Sequence, residues 1–167
     1  MTVAVRPATA SDAADLDRLI RALAAFDGVP ERVRFTRAQL TAALSGPAPR
    51  LHALVAERGG VVLGFVSYTV DFAIWTGGEI VRVDDLFVTG TCRGQGIGRR
   101  LLAAVADLAL ARGAAVCWEV EPANAAAQAF YRSLGVELRP KIAARWWPDA
   151  MAAFRGSDGA PTVRRTP

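Results

Sequence analysis

"VDDLFVTGTCRGQGIGRRLL", residues 83–102, passes from two carboxylates through a short apolar run to an Arg–Gly knot and a helix start. Gly94, Gly96 and Gly98 alternate at this strand-to-helix junction. Glycines there let backbone N–H groups converge with no Cβ in the way, and the helix N-terminus adds partial positive charge. Together these make an anion site, most naturally for a pyrophosphate, with Arg93 as a charged donor alongside. Two familiar phosphate loops do not fit. A Walker A loop needs Gly-Lys followed by Ser or Thr, whereas Gly98 is followed by Arg99 and Arg100. A Rossmann fingerprint needs a third glycine where Arg99 stands. On the knot alone, a helix start with incidental glycines is the other reading.

On both sides of the knot the chain switches between strand and helix patterns. "VAVRPA" alternates and reads as an opening strand ending at Pro7. Ser11 and Asp12 are N-cap candidates for a helix carrying Leu16, Leu19, Ile20 and Leu23, which should stop near Gly28 and Pro30. "TRAQLTAAL" (36–44) is a shorter helix capped by Thr36. "LHALVAE" and "VVLGFVSYTV" are strands joined by "RGG", a hairpin signal, and "EIVRVDDLFV" is a further strand. Ile97, Leu101, Leu102, Val105 and Leu108 mark an amphipathic helix closed by Gly113. "AAVCWEVE" is again a strand and "NAAAQAFYRSLG" a helix, with "VELRP" and "IAARWW" expected to finish the sheet. The order β-α-α-β-β-β-α-β-α-β predicts a mixed α/β single domain over residues 1–155. A loose polar tail is expected at 156–167.

Composition bounds the function. The chain has 167 residues, 52% hydrophobic and 22% charged, enough for one folded core and too ordered in composition for a disordered protein. No apolar run reaches the ~18 residues of a membrane helix, and the N-terminus lacks a signal-peptide layout, so a cytoplasmic protein is expected. The net charge of +4 is carried almost wholly by arginine. There is no basic run with interleaved aromatics, which argues against nucleic acid. Cys92 and Cys117 lack metal-ligand spacing and His52 is the sole histidine, so no metal site is expected. The cysteines read as reduced and structural, and His52 as structural.

Arg93-x-x-Gly96-x-Gly98 preceded by "DDLFV" resembles the acetyl-CoA loop of the GNAT superfamily of N-acetyltransferases. "WEVEPANAAAQAFYRSLGV" resembles that family's strand, Asn, helix and Tyr signature, with Asn124, Ala127, Tyr131 and Gly135 at its spacing. The likeness runs in consistent order from residue 3 to about 135. "LIRALAAFDGVPERVRFTRAQL", "FAIWTGGEIVRVDDLFV" and "RGQGIG" are most similar to the diamine (spermidine/spermine-type) acetyltransferases. The resemblance implies a mostly antiparallel sheet flanked by helices, acetyl-CoA as co-substrate, a small-molecule amine as acceptor and a homodimer.

It also implies roles. The backbone of Phe87 and Val88 would hold the pantetheine arm and thioester, and Arg93, Gly94, Gln95, Gly96, Ile97, Gly98 and Arg99 the pyrophosphate. Asn124 caps its helix, touches the cofactor, or does both. Tyr131 would be the general acid, since a phenol with pKa near 10 stays protonated and can donate to a thiolate; a core aromatic is its other reading. Asp84 aligns with a family Glu that contacts the amine or relays its proton, and is one methylene shorter, which favours a bridging water. Neighbours on a regular strand point to opposite faces, so Asp84 and Asp85 are expected on opposite sides of the sheet. Asp85 then makes either a second substrate contact or a structural hydrogen bond. Asp27 and Glu31 stand where the relatives place acidic groups for polyamine, or are ordinary solvated loop charges. Trp75 walls the amine site or anchors its loop, and Trp146 and Trp147 line the pocket or cover a dimer face.

Three departures bear on the acceptor. Gly90 stands where the family usually has Pro, Asp84 replaces Glu, and "VELRPKIAARWWPDAM" differs from the subgroup's closing segment. The leading expectation is an acetyl-CoA-dependent N-acetyltransferase acting on a polyamine, diamine or related amine. The alternatives are another amine class (aminoglycoside, amino acid or protein amine) and a non-catalytic acyl-CoA-binding sensor.

Overall fold

Alternating apolar residues build a sheet that is buried on both faces. The computed structural model describes residues 2–157, in two compact units divided between Glu119 and Val120. In the first, β1 (Ala4–Pro7), β2 (His52–Arg58), β3 (Val61–Ala73), β4 (Gly78–Val88) and β5 (Ala115–Cys117) lie side by side in chain order. β1 to β4 form an antiparallel meander, and β5 returns parallel to β4. The mixed, mostly antiparallel sheet flanked by helices is therefore present, as the resemblance implies.

The helices split between the faces. Leu16 and Leu19 of α1 (Ala13–Phe26) and Leu40 of α2 (Arg37–Ala43) pack on Val55, Val62, Phe65 and Phe87. Ile97, Leu101, Val105 and Ala109 of α3 (Ile97–Ala111) pack on Leu54, Ala56, Val66, Tyr68, Val81 and Val83. Leu54 and Val55 are sequence neighbours in opposite cores, as a pleated strand requires. His52 stacks on Tyr68 with ring centroids 5.5 Å apart, a packing role. Thr36 caps α2 reciprocally with Gln39.

Asp12 stands at the start of α1, yet its carboxylate is not spent on that helix. It takes both terminal nitrogens of Arg6, at 2.8 and 2.9 Å, and the Thr9 backbone N–H at 2.7 Å. Arg6 also donates to Glu57 at 2.8 and 3.0 Å, so one guanidinium joins β1, β2 and the α1 start.

Two strand expectations fail. β5 pairs only from Ala115 to Cys117, shorter than "AAVCWEVE", because β4 turns irregular just beyond Arg82, the last residue it pairs to β5. "VELRP" and "IAARWW" form no strand. In the second unit α4 (Ala125–Arg132) is followed by irregular chain and then α5 (Pro148–Ser157). Pro140 lacks the N–H a ladder needs, and Pro148 at the first helical position favours a helix start. Trp146 packs edge-on against Phe154 of α5 at 5.2 Å. The tail expected at 156–167 lies, from residue 158 onward, outside the described residues.

The Arg6 clamp holds the buried Asp12 carboxyl at about 2, against an ordinary 3.8. A depressed carboxylate pKa contributes stability that is complete above 3.8 and lost as pH falls toward 2. Asp12→Asn is expected to lower unfolding free energy by about 2 kcal/mol at neutral pH, at about 1.4 kcal/mol per pKa unit. Urea titrations of both proteins should show this gap closing between pH 4 and pH 2; a gap independent of pH would refute the clamp.

Candidate active site

The site is organised by an irregularity in β4. Ser67 pairs with Asp85 and the next β3 residue, Tyr68, pairs with Val83, so Asp84 is the extra residue of a β-bulge. The bulge shifts the phase of the strand. Val81 and Val83 face α3, and so do Leu86 and Val88, while Phe87 faces α1 and α2. Asp84 follows Val83 and Asp85 precedes Leu86, so both lie on the α1 side. The expectation that they occupy opposite faces is overturned, because it assumed an unbroken pleat.

On that side they meet a third carboxylate. Asp84 and Asp85 are exposed residues of β4. Even so, partial loss of water around the Asp85 carboxyl, then the charge of Asp84, then that of Asp27 at the end of α1 push its pKa up, while the Ser67 hydroxyl opposes them. Partial desolvation and the charge of Asp71 raise Asp84, opposed by Arg82. Ser67 is buried, and its Oγ also accepts the Asp85 backbone N–H at 3.2 Å, which fixes the bulge. Asp85 thus has a structural hydrogen bond through its backbone while its carboxyl joins the cluster. Glu31 sits exposed in the short turn Pro30–Arg32, on the same loop as Asp27. Trp75 does not join them. It is fully exposed at the β3–β4 hairpin tip, roughly 20 Å along the strands from Asp85 at about 3.3 Å per residue. A ring so placed neither walls the carboxylates nor anchors its loop.

Beyond Arg82, β4 has no strand neighbour on its β5 side among the described residues. Successive carbonyls of a strand point to opposite edges. The Phe87 carbonyl faces β3, where a Cβ on Gly64 would lie 2.6 Å from it, so only glycine permits this approach. The Val88 carbonyl faces the other way and accepts Arg93 Nε at 3.0 Å. The open edge is therefore served by the backbone of Val88 and Leu86. Phe87 supplies packing, and Leu86 replaces it as the expected donor.

The loop after β4 ends in a helix with uncapped amides. Gly94 and Gly96 both have φ of +76°, which other residues rarely adopt. Gly96 is the N-cap of α3 and offers no side chain to the first turn, which holds no acidic residue. Arg99 and Arg100 in that turn oppose the helix dipole. A bound anion would reverse the sign of both effects, so the donor set fits a pyrophosphate. Arg93 stacks over Phe26 at 4.2 Å and Phe87 at 5.3 Å, which ties the loop to the end of α1. Gln95 donates to the Thr91 carbonyl at 3.2 Å, and Arg58 reaches Gln95 from the end of β2.

The second unit carries the other two signature residues. Asn124 Oδ1 accepts the Ala127 N–H at 3.0 Å, so it caps α4. Tyr131 is half-buried, and burial raises its pKa. Trp146 and Trp147 are both exposed.

Sequence reasoning missed Ser67, Leu86, Gly64, Phe26 and Arg58. Ser67 had a signal, a small hydroxyl residue directly after the apolar pair Phe65–Val66 in mid-strand. Leu86 depends on which edge is open, and Arg58 on a contact across 37 residues.

Comparison with known proteins identifies the family and the fold. The acetyltransferase (GNAT) family pattern matches residues 16–136. A thialysine N-epsilon-acetyltransferase of Mus musculus is 32% identical over 147 residues, covering 80% of this chain and 83% of the relative. A spermidine/spermine N(1)-acetyltransferase-like protein of Homo sapiens is 30% identical over 113 residues, 64% of this chain and 16% of the relative. These relatives fit the diamine-type resemblance. An aminoglycoside N-acetyltransferase solved in complex with CoA shares the fold, with a TM-score of 0.70 at 20% identity, covering 88% of this chain and 95% of that one. The chain belongs to the GNAT acetyltransferase family and is an acetyl-CoA-dependent N-acetyltransferase.

Proposed function

We propose that this enzyme transfers the acetyl group of acetyl-CoA to a primary amine of a small polycation, a polyamine, diamine or a relative such as thialysine. The observation that carries this is the convergence of Asp27, Asp84 and Asp85 on one side of the β4 bulge, beside the open edge. A cationic amine lowers the energy of crowded carboxylates, which otherwise repel one another. On the resemblance alone, the proposal extends to a homodimer in the cytoplasm.

The proposed chemistry assigns each group a role. The loop amides of Gly94 to Arg99 and the guanidinium of Arg99 hold the pyrophosphate. The open-edge backbone of Leu86 and Val88 holds the pantetheine arm and polarises the thioester carbonyl. Attack needs a neutral nitrogen. Asp84 takes the ammonium proton through a bridging water, as its raised pKa suits a proton acceptor better than an ordinary carboxylate. Asp85 and Asp27 hold the cationic end of the acceptor. The C–N bond forms as the C–S bond breaks and the nitrogen releases its second proton to water. On the family resemblance, Tyr131, kept protonated by its raised pKa, gives its proton to the departing thiolate and regains one from water.

Thiol release from acetyl-CoA across putrescine, spermidine, thialysine, an aminoglycoside and a lysine peptide tests the acceptor. Turnover should be fastest on the diamines, polyamines or thialysine. Activity confined to the aminoglycoside or the peptide would reassign the acceptor, and CoA binding without turnover on any amine would make the protein a sensor.

Tyr131→Phe should bind acetyl-CoA normally and lose roughly 100-fold in kcat. An unchanged rate would remove Tyr131 from the mechanism.

Asp85→Asn separates function from stability. A raised carboxylate pKa means the ionised form weakens folding at neutral pH, so the neutral variant should melt at the same or a higher temperature. Its amine KM should rise roughly tenfold, as for a lost charged hydrogen bond. In the wild type, amine KM should rise as pH falls, beginning above the ordinary carboxylate range. A flat profile would take Asp85 out of amine binding.

A further inference from the structure

Arg58 has no part in the chemistry above, and nothing in its local sequence marks it. It is the last residue of β2, before the Gly59–Gly60 turn, and its side chain crosses to the cofactor loop. One terminal nitrogen donates to Gln95 Oε1 at 3.1 Å, and the other to Cys92 Sγ at 3.8 Å. Cys92 is buried in the core beneath α3, so this second contact is to a fixed point.

Gln95 is the only residue with a side chain between Gly94 and Gly96. Both glycines have a left-handed φ, and a glycine without a tether explores many backbone states. Gln95 is held from two sides, by donating to the Thr91 carbonyl and by accepting from Arg58. Loop order before binding lowers the entropic cost of binding.

We propose that Arg58 is a positioning residue for acetyl-CoA, holding the loop amides in their binding arrangement through Gln95 rather than touching the phosphates itself. This rests on reading the loop as the pyrophosphate cradle. The Cys92 contact gives the guanidinium a fixed footing, and Lys cannot reproduce it, because an ammonium lacks the planar fork that spans Gln95 and Cys92 together.

Calorimetric titration of CoA into the full chain tests this, with Arg58→Ala, Gln95→Ala, the double variant, Arg58→Lys and Gly96→Val. Arg58→Ala and Gln95→Ala should each weaken CoA binding about tenfold, in the range of lost supporting contacts. The double variant should bind no worse than either single one, since the two residues act as one unit. Arg58→Lys should not restore binding. In steady state, Arg58→Ala should raise the KM for acetyl-CoA, with kcat and amine KM moving less than about twofold. Additive losses in the double variant, or full rescue by lysine, would mean that Arg58 meets the phosphates as a charge, and would overturn the proposal. Unchanged affinity in Arg58→Ala, with binding lost in Gly96→Val, would overturn it and leave the cradle standing. Unchanged affinity in every variant, Gly96→Val included, would overturn the cradle reading itself. Circular dichroism identifies any variant that does not fold; if Arg58→Ala is one, Gln95→Ala and Arg58→Lys carry the test.

Discussion

One extra residue in β4 sets the geometry of the first unit. Asp84 has no partner on β3, and the pleat after it runs in the opposite phase. Three consequences follow from this local fact. Two adjacent carboxylates share a side of the sheet that regular alternation would have divided. Phe87 turns into the α1–α2 core, and Leu86 and Val88 turn toward α3. The ladder to β5 stops at Arg82, two residues before the bulge, so the rest of β4 keeps an open edge. The paired carboxylates and the open edge of β4 are thereby adjacent, because both lie at the same distortion.

The electrostatics of the unit divide into satisfied and unsatisfied parts. Arg6, Asp12 and Glu57 are mutually paired, and the Asp12 carboxyl is pulled well down. Asp84 and Asp85 are pushed up instead, and Arg99 and Arg100 crowd the positive end of α3. Each of the last two groups is unfavourable by itself and favourable with a ligand of opposite sign. Negative charge gathers at the β4 bulge and positive charge at the start of α3. That contrast, within one small unit, is what distinguishes a site from a solvated surface.

Much of this was readable from residues 83–102 and 118–136. The strand-to-helix junction, the glycine spacing, the Asn124 cap and the α3 stripe depend on local backbone rules, so they stand in the structure as the pattern predicts. Failures occur where local rules compete with context. "IAARWW" has strand-like composition, yet Pro140 and Pro148 bracket it and, among the described residues, it joins no sheet. Trp75, expected to wall the amine site or anchor its loop, does neither, because a hairpin carries its tip away from its base.

The sequence by itself determined most of the elements, the glycine-rich strand-to-helix junction and the family, because periodicity, capping and glycine spacing act over a few residues. Only the tertiary structure decided which carboxylates meet, which backbone groups face the open edge, and that Arg58 reaches the loop. Those depend on strand register and on contacts between distant segments. A one-residue shift in register reverses every face, and no local pattern records it.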